Sequence, residues 1–246
     1  MIKFFRHIRK SLLEQNKMGK YFKYAIGEII LVVIGILIAL QINNWNEERK
    51  QSEKRDSYYL SMIGSFEKDL QKIDSYEKYL EGIQNNVNEF RINVKKSSNY
   101  LKASQYIDSL NIFTSDLDLN ASIWESIVNS GHIELMDESI KSSLLEFWNS
   151  YNDYKEANYA NSQHYWDLIK SILLTNSSNY ALKVVKQNEV LSLKAEKARN
   201  HMEEVNTVLV AIGFREVGNR GSQFRMKQFK NEIKKIISDM RNKLDN

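Results

Sequence analysis

The sequence predicts an all-α fold with one membrane-spanning helix, and three observations carry the prediction. The 246 residues include no proline, where average usage of about 5% would give roughly a dozen, and proline is the residue most hostile to a helix interior. A single apolar run extends from Ala25 to Ile42, and long stretches after it repeat apolar side chains every three or four positions. No stretch alternates polar and apolar residues strongly enough to suggest a sheet.

Residues 1–24 form a basic segment in which Ile2, Phe5, Ile8 and Leu12 share one helical face and Lys3, Arg6, Arg9 and Lys10 lie largely around the other. Such a helix lies on an anionic inner leaflet; the same residues also read as a basic topology signal with incidental amphipathicity. The segment leaves no room for a cytoplasmic signalling domain.

Residues 25–42 are read as the transmembrane helix. Eighteen helical residues rise about 27 Å, close to the hydrocarbon thickness of about 30 Å. Ten Ile, Leu and Val side chains between Ile29 and Leu40, at roughly 0.3 to 0.6 kcal/mol each, outweigh the at most about 3 kcal/mol that Glu28 costs at a helix centre. Glu28 stands near one end, and Gln41 near the other. Tyr21, Phe22 and Tyr24 precede the run and Trp45 follows it, where amphipathic rings sit at the two headgroup levels.

Charge sets the orientation. Lys3, Arg6, Arg9, Lys10, Lys17, Lys20 and Lys23 oppose Glu14 alone, giving +6 before the span, while the whole chain carries +4 and the remainder therefore about −2. The positive-inside rule places the N-terminus in the cytoplasm and residues 43–246 outside it. No small-x-small cleavage pattern follows the apolar core, since Gln41 stands two residues after Ala39, so the span reads as an uncleaved signal-anchor of an inner-membrane protein with a periplasmic domain.

The stretch YAIGEIILVVIGILIALQINNWNEERK, from Tyr24 to Lys50, together with the preceding MIKFFRHIRKSLLEQNKMGKY, resembles the opening of a family of uncharacterised single-pass membrane proteins of Gram-negative bacteria. The likeness is close over about residues 1–55 and looser beyond, where W-E-S-I-V-N-S-G at 124–131 and the C-terminal helix are similar in character. The resemblance implies the topology and a helical outer domain, with no activity to carry over.

Beyond the span, Asn43, Asn44 and Asn46 are weak helix formers that bend or end the membrane helix. Tyr59, Ile63, Phe66, Leu70, Ile73, Tyr76, Leu80, Ile83, Val87, Phe90 and Val94 then recur at steps of three and four, predicting one helix of about 40 residues. Gly64 and Gly82 each weaken it by about 1 kcal/mol, too little to end it. This stripe either packs within a bundle or pairs with a second chain as a coiled coil. Polar clusters at 97–99 and 111–120 mark connections around a short helix. Ala121 to Asn129 reads as a helix capped by Asn120 and closed by Gly131. Another helix runs from Asp137 to about Leu174, with Asn158, Asn161 and Ser162 interrupting its apolar side. A break at Thr175 to Asn179 is followed by a helical stretch from Glu189 to Ile212, a connection from Gly213 to Gly221, and a final helix from about Ser222 to Leu244.

Several residues invite a sharper reading. Gly35 and Ala39, with Gly27 on roughly the same face, form a small-residue pattern that promotes helix pairing in membranes, though such a pair is common by chance. Glu28 is an intramembrane carboxylate, a functional candidate by default, which also snorkels readily or meets Lys20 or Lys23. Phe147, Trp148, Tyr151, Tyr154, Tyr159, Tyr165 and Trp166 line either a binding groove or, more commonly at this spacing, a core. His7, His132, His164 and His201 are scattered without metal-ligand spacing, cysteine is absent, and no P-loop, dinucleotide fingerprint or nucleophile elbow occurs. Basic residues of the last helix alternate with Glu232 and Asp239, a solvated face rather than a nucleic-acid site. The expectation is therefore a non-enzymatic protein with no catalytic, cofactor or metal site, whose partners are the lipid bilayer and a protein or second copy of itself. A regulatory subunit binding a small ligand in its outer domain is the alternative.

Overall fold

The computed structural model describes residues 18–175 and 200–245. The amphipathic N-terminal piece, most of the Thr175 to Asn179 break, and residues 189–199 of the helical stretch expected from Glu189 lie outside the described residues. Among the described residues every regular element is helical. The helices are α1 (Met18–Lys96), α2 (Tyr100–Gln105), α3 (Ser122–Asn129), α4 (Glu138–Thr175) and α5 (His201–Leu244), with single 3-10 turns at Tyr106–Ser109 and His132–Leu135. The chain divides into two compact units, Met1–Ser57 and Tyr58–Asn246, with the boundary inside α1.

In the first unit α1 continues through Asn43, Asn44 and Asn46, so of the two outcomes their propensities allowed, a bend or an end, the end does not occur. Asparagine costs at most about 0.7 kcal/mol per helical position. The Arg49 guanidinium donates to Asn46 Oδ1 at 3.4 Å and pairs with Glu53 one turn on, so the helix recovers part of that cost locally.

In the second unit the predicted stripe of α1 is buried. Tyr59, Ile63, Phe66, Ile73, Tyr76 and Leu80 enter one apolar cluster with Ile140, Leu144, Phe147 and Tyr151 of α4 and Met226, Phe229, Ile233 and Ile236 of α5. Ile83, Val87 and Phe90 enter a second with Tyr165, Ile169, Val208 and Ile212. The stripe is thus covered by the chain's own helices rather than left open along its length.

The expected connection from Gly213 to Gly221 is instead the middle of α5, which runs unbroken from its N-cap Asn200, whose side chain accepts from Glu203 N at 3.2 Å. Three helical glycines cost about 1 kcal/mol each. Tertiary contacts outweigh that cost: the segment buries Arg215 and Glu216, and at Gly218 the helix packs against Asn161 of α4, which an added Cβ would meet at an ordinary contact distance of 3.6 Å. Helix α4 likewise continues through Asn158, Asn161 and Ser162, because Asn158 donates to Asp116 at 2.7 Å and accepts from Ser222 at 3.4 Å.

Asn120 precedes α3 by one residue more than expected; its Oδ1 accepts from Ser122 N at 3.2 Å and from Ser122 Oγ at 2.7 Å. Gly131 closes that helix with φ 71°, a left-handed conformation. A Cβ there meets nothing within 4 Å, so Gly131→Ala carries only the backbone penalty. It is expected to lower stability by about 1–2 kcal/mol in thermal unfolding, and an unchanged Tm would show that the turn relaxes freely.

Candidate functional site

The residues that the sequence singled out in and around the span all fall in the first unit. Phe22, Tyr24 and Trp45 are exposed at either side of the apolar run; the Tyr21 side chain lies outside the description. Gly27 and Gly35 have nothing within 4 Å of where a Cβ would stand, and Ala39 and Gln41 are exposed. Glu28 is half-buried. From Ile26 to Ile42 every large aliphatic side chain is 46% to 63% exposed, and this is a helix long and apolar enough to cross a membrane. One helix of this kind near the N-terminus is also what a signal sequence provides.

In the second unit the most elaborate polar site is one that periodicity did not reveal. Residues 110–121 have no regular secondary structure, yet the helices satisfy much of their backbone. Asn86 of α1 donates to Ser109 O at 3.0 Å and accepts from Asn111 N at 2.7 Å. Tyr165 of α4 donates to Ile112 O at 2.8 Å, and Tyr79 of α1 to Phe113 O at 2.9 Å. Trp166 Nε1 donates to Thr114 Oγ1 at 3.0 Å. Tyr151 donates to Leu117 O and accepts from Leu119 N, while the fully buried Asp69 accepts from Asn120 N.

Arg215 of α5 fastens the same strap. Its buried guanidinium donates to the carbonyls of Asn111 and Phe113 and lies 5.2 Å from the centre of the Tyr165 ring. Next to it Glu216 receives both arms of Arg91 at 2.6 Å and Gln84 Nε2 at 3.0 Å. The sequence did contain a signal for the burial of Arg215 and Ser222: both continue the inward positions of Val208, Ile212, Met226 and Phe229, and the three nearby glycines obscured that period. Burial pushes the Tyr151 and Tyr165 phenols up to about 12 and also raises Tyr76 and Tyr154, so these phenols stay neutral. The arrangement is a structural clasp of neutral hydroxyls, carbonyls, the Arg215 guanidinium and two paired carboxylates, Asp69 with Lys72 and Glu216 with Arg91.

Of the aromatic segment, Phe147, Trp148, Tyr151, Tyr154 and Tyr165 are buried and Trp166 is partly so, while Tyr159 is exposed. The segment is core rather than groove. Tyr76, Tyr79, Tyr165 and Arg215 border a cavity of about 30 Å³, room for one or two waters.

His132 Nδ1 lies 2.7 Å from both Tyr58 Oη and Ser130 Oγ, and His201 Nδ1 lies 2.9 Å from Ser104 Oγ. Among the described residues no three His, Cys, Asp or Glu side chains converge as a metal site would require.

Glu232 is held above the ordinary carboxylate range, chiefly by burial and further by Glu146, with Arg225 opposing. Its Oε2 is buried without a hydrogen-bond partner. A raised folded-state pKa means the fold prefers the neutral acid, so Glu232 costs stability as the pH climbs past its unfolded pKa and costs nothing well below it. Glu232→Gln is expected to raise the Tm at pH 7 and to leave it unchanged near about pH 3; equal gains at both pH values would assign the effect to packing instead.

A model of a family of unknown function, DUF6090, matches residues 28–188. The match starts inside the apolar run and continues through the strap and α4, so it reaches well beyond residues 1–55, where the sequence resemblance was closest. No curated protein and no solved structure matches the chain.

Proposed function

This chain belongs to the DUF6090 family of unknown function, and we propose that it is a single-pass membrane-anchored protein whose helical domain binds another protein or a second copy of itself without catalysing a reaction. One observation carries the reading: none of the apolar window within α1 is buried by the chain. Burying an aliphatic side chain is worth about 1.5–3 kcal/mol, so leaving ten of them half in water forfeits on the order of 10 kcal/mol, and a lipid interior recovers it. The charge of +6 on residues 1–24 supports a cytoplasmic N-terminus at an inner membrane, with the Tyr58–Asn246 unit, a helical bundle, on the periplasmic side. The strap and its partners support a structural rather than a chemical use of the buried polar groups. A ligand-binding regulatory role is the second reading; the cavity beside Arg215, about 30 Å³, is too small for a metabolite, so such a ligand would need one of the wider open grooves of about 590 and 400 Å³.

The chain has no cysteine, so single introduced thiols report topology without background. Ser98→Cys is expected to react with an impermeant maleimide in cells whose outer barrier alone is opened, and Ser11→Cys only after the inner membrane is broken. The opposite pattern would reverse the orientation, and recovery of the full chain in the soluble fraction would sink the anchor.

A further inference from the structure

We propose that a second copy of this chain docks along one outward seam of α5, formed by Val210, Phe214, Val217, Gly221 and Phe224. The inference rests on the anchoring proposed above and names the partner of the helical domain.

Val210, Phe214, Val217 and Phe224 are 53%, 44%, 60% and 64% exposed, on a helix whose inward face already buries Val205, Val208, Ile212, Met226 and Phe229. Their spacing of four, three, four and three residues, with Gly221 completing the line, holds the five on one side of a helix, as the a and d positions of a coiled coil do. No charged side chain interrupts the line. It borders a groove of about 400 Å³ whose other wall is α4, with Ala157 and Asn161 opposite Val217 and Phe224. At Gly221 an added Cβ would meet nothing within 4 Å, which leaves the middle of the seam open to close approach by another helix.

The size of the patch bears on what occupies it. Two phenylalanines and two valines at about half exposure present a few hundred Å² of apolar surface, the scale of a functional patch on a monomer. A stable interface between freely diffusing proteins takes about 800 Å² from each side. The seam alone is therefore too small for a tight soluble partner and suits one already concentrated beside it by a shared membrane. Every other copy of the chain meets that condition.

Charge on the two rims favours a parallel pairing. Helices α4 and α5 run antiparallel, with Asn161 beside Gly218, Tyr154 bonded to Ser222 and Arg225 to Ser150, which sets Asp153 about level with Gln223, between Arg220 and Lys227. Asp153 stands on the α4 rim of the groove, while Arg220 and Lys227 are exposed on α5. A two-fold axis along the helices lays the α4 rim of each copy against the far rim of the other, placing Asp153 between Arg220 and Lys227, within reach of both long side chains. An antiparallel pairing does not bring them together.

The test uses the full-length chain in native membranes, with single cysteines Val217→Cys and Phe224→Cys on the seam and Tyr159→Cys, on another side of α4 and also exposed, as the control. Mild oxidation is expected to give several-fold more of a species at twice 28.9 kDa from the two seam positions than from the control, and Phe214→Asp placed alongside Val217→Cys is expected to abolish it. Equal dimer from all three positions, a purely monomeric chain, or capture of a species of another mass would overturn the proposal. Flotation of the same membranes separates the two readings. A chain that floats but does not crosslink keeps its anchor and loses the docking face, whereas a chain that does not float loses the anchor, and with it the shared membrane on which this docking depends.

Discussion

Phe229→Ala is expected to cost the helical domain about 3–5 kcal/mol, the range for removing a fully enclosed aromatic ring. Phe229 is 0% exposed and stands edge-on to Phe147, Tyr151 and Tyr154 at centroid distances of 5.7, 6.0 and 5.7 Å. Its ring joins α5 to α4 at the centre of the larger core, so truncation forfeits both buried area and three ring contacts. Urea unfolding of the detergent-solubilised full-length chain measures the loss, with the fluorescence of Trp148, in the same cluster, as the reporter. Ile92→Ala, at an exposed position, should change stability by no more than about 0.5 kcal/mol. A loss under about 1 kcal/mol for Phe229→Ala would mean that the core collapses around the cavity.

Arg215→Met is expected to cost about 2–3 kcal/mol by a different route, the loss of hydrogen bonds from a charged donor. The methionine keeps much of the apolar stem but takes the guanidinium from the carbonyl of Asn111 and leaves that of Phe113 with the Tyr79 hydroxyl alone. The guanidinium's hold on the Tyr165 ring is lost as well. The damage should be local first. Hydrogen exchange is expected to rise across residues 111–119 before it rises in α4 or α5, because those helices keep their apolar contacts. Uniform acceleration through the domain would show that the strap is integral to the core instead.

The two variants separate what was legible from what was not. The burial of Phe229 follows from the i, i+4 and i+7 spacing of Phe229, Ile233 and Ile236, since a helix that presents one apolar face must cover it. The same spacing located Tyr59 through Phe90 on one helix and Ile140 through Tyr165 on another. Arg215 lies on the inward period of α5 as well, but spacing does not tell what an arginine there would bind. A buried arginine between glycines reads locally as a solvated connection, and only the carbonyls of a strap a hundred residues earlier make its burial favourable. The site residues of the span were legible for the opposite reason: a continuous apolar run needs no tertiary partner to be recognised.

The sequence by itself determined the all-helical class, the exposed apolar helix that suits a bilayer and the faces on which the long helices bury their side chains, because each follows from composition and from a local period of 3.6 residues. Tertiary structure decided where those helices continue and what holds the irregular strap between them. Helix α5 crosses three glycines and α4 crosses its asparagines because contacts from distant segments outweigh local propensities of about 1 kcal/mol or less. The outward seam of α5 belongs to the same class: only after the inward face was covered did Val210, Phe214, Val217 and Phe224 stand out as an exposed apolar face, touched among the described rings only where His164 meets Phe214.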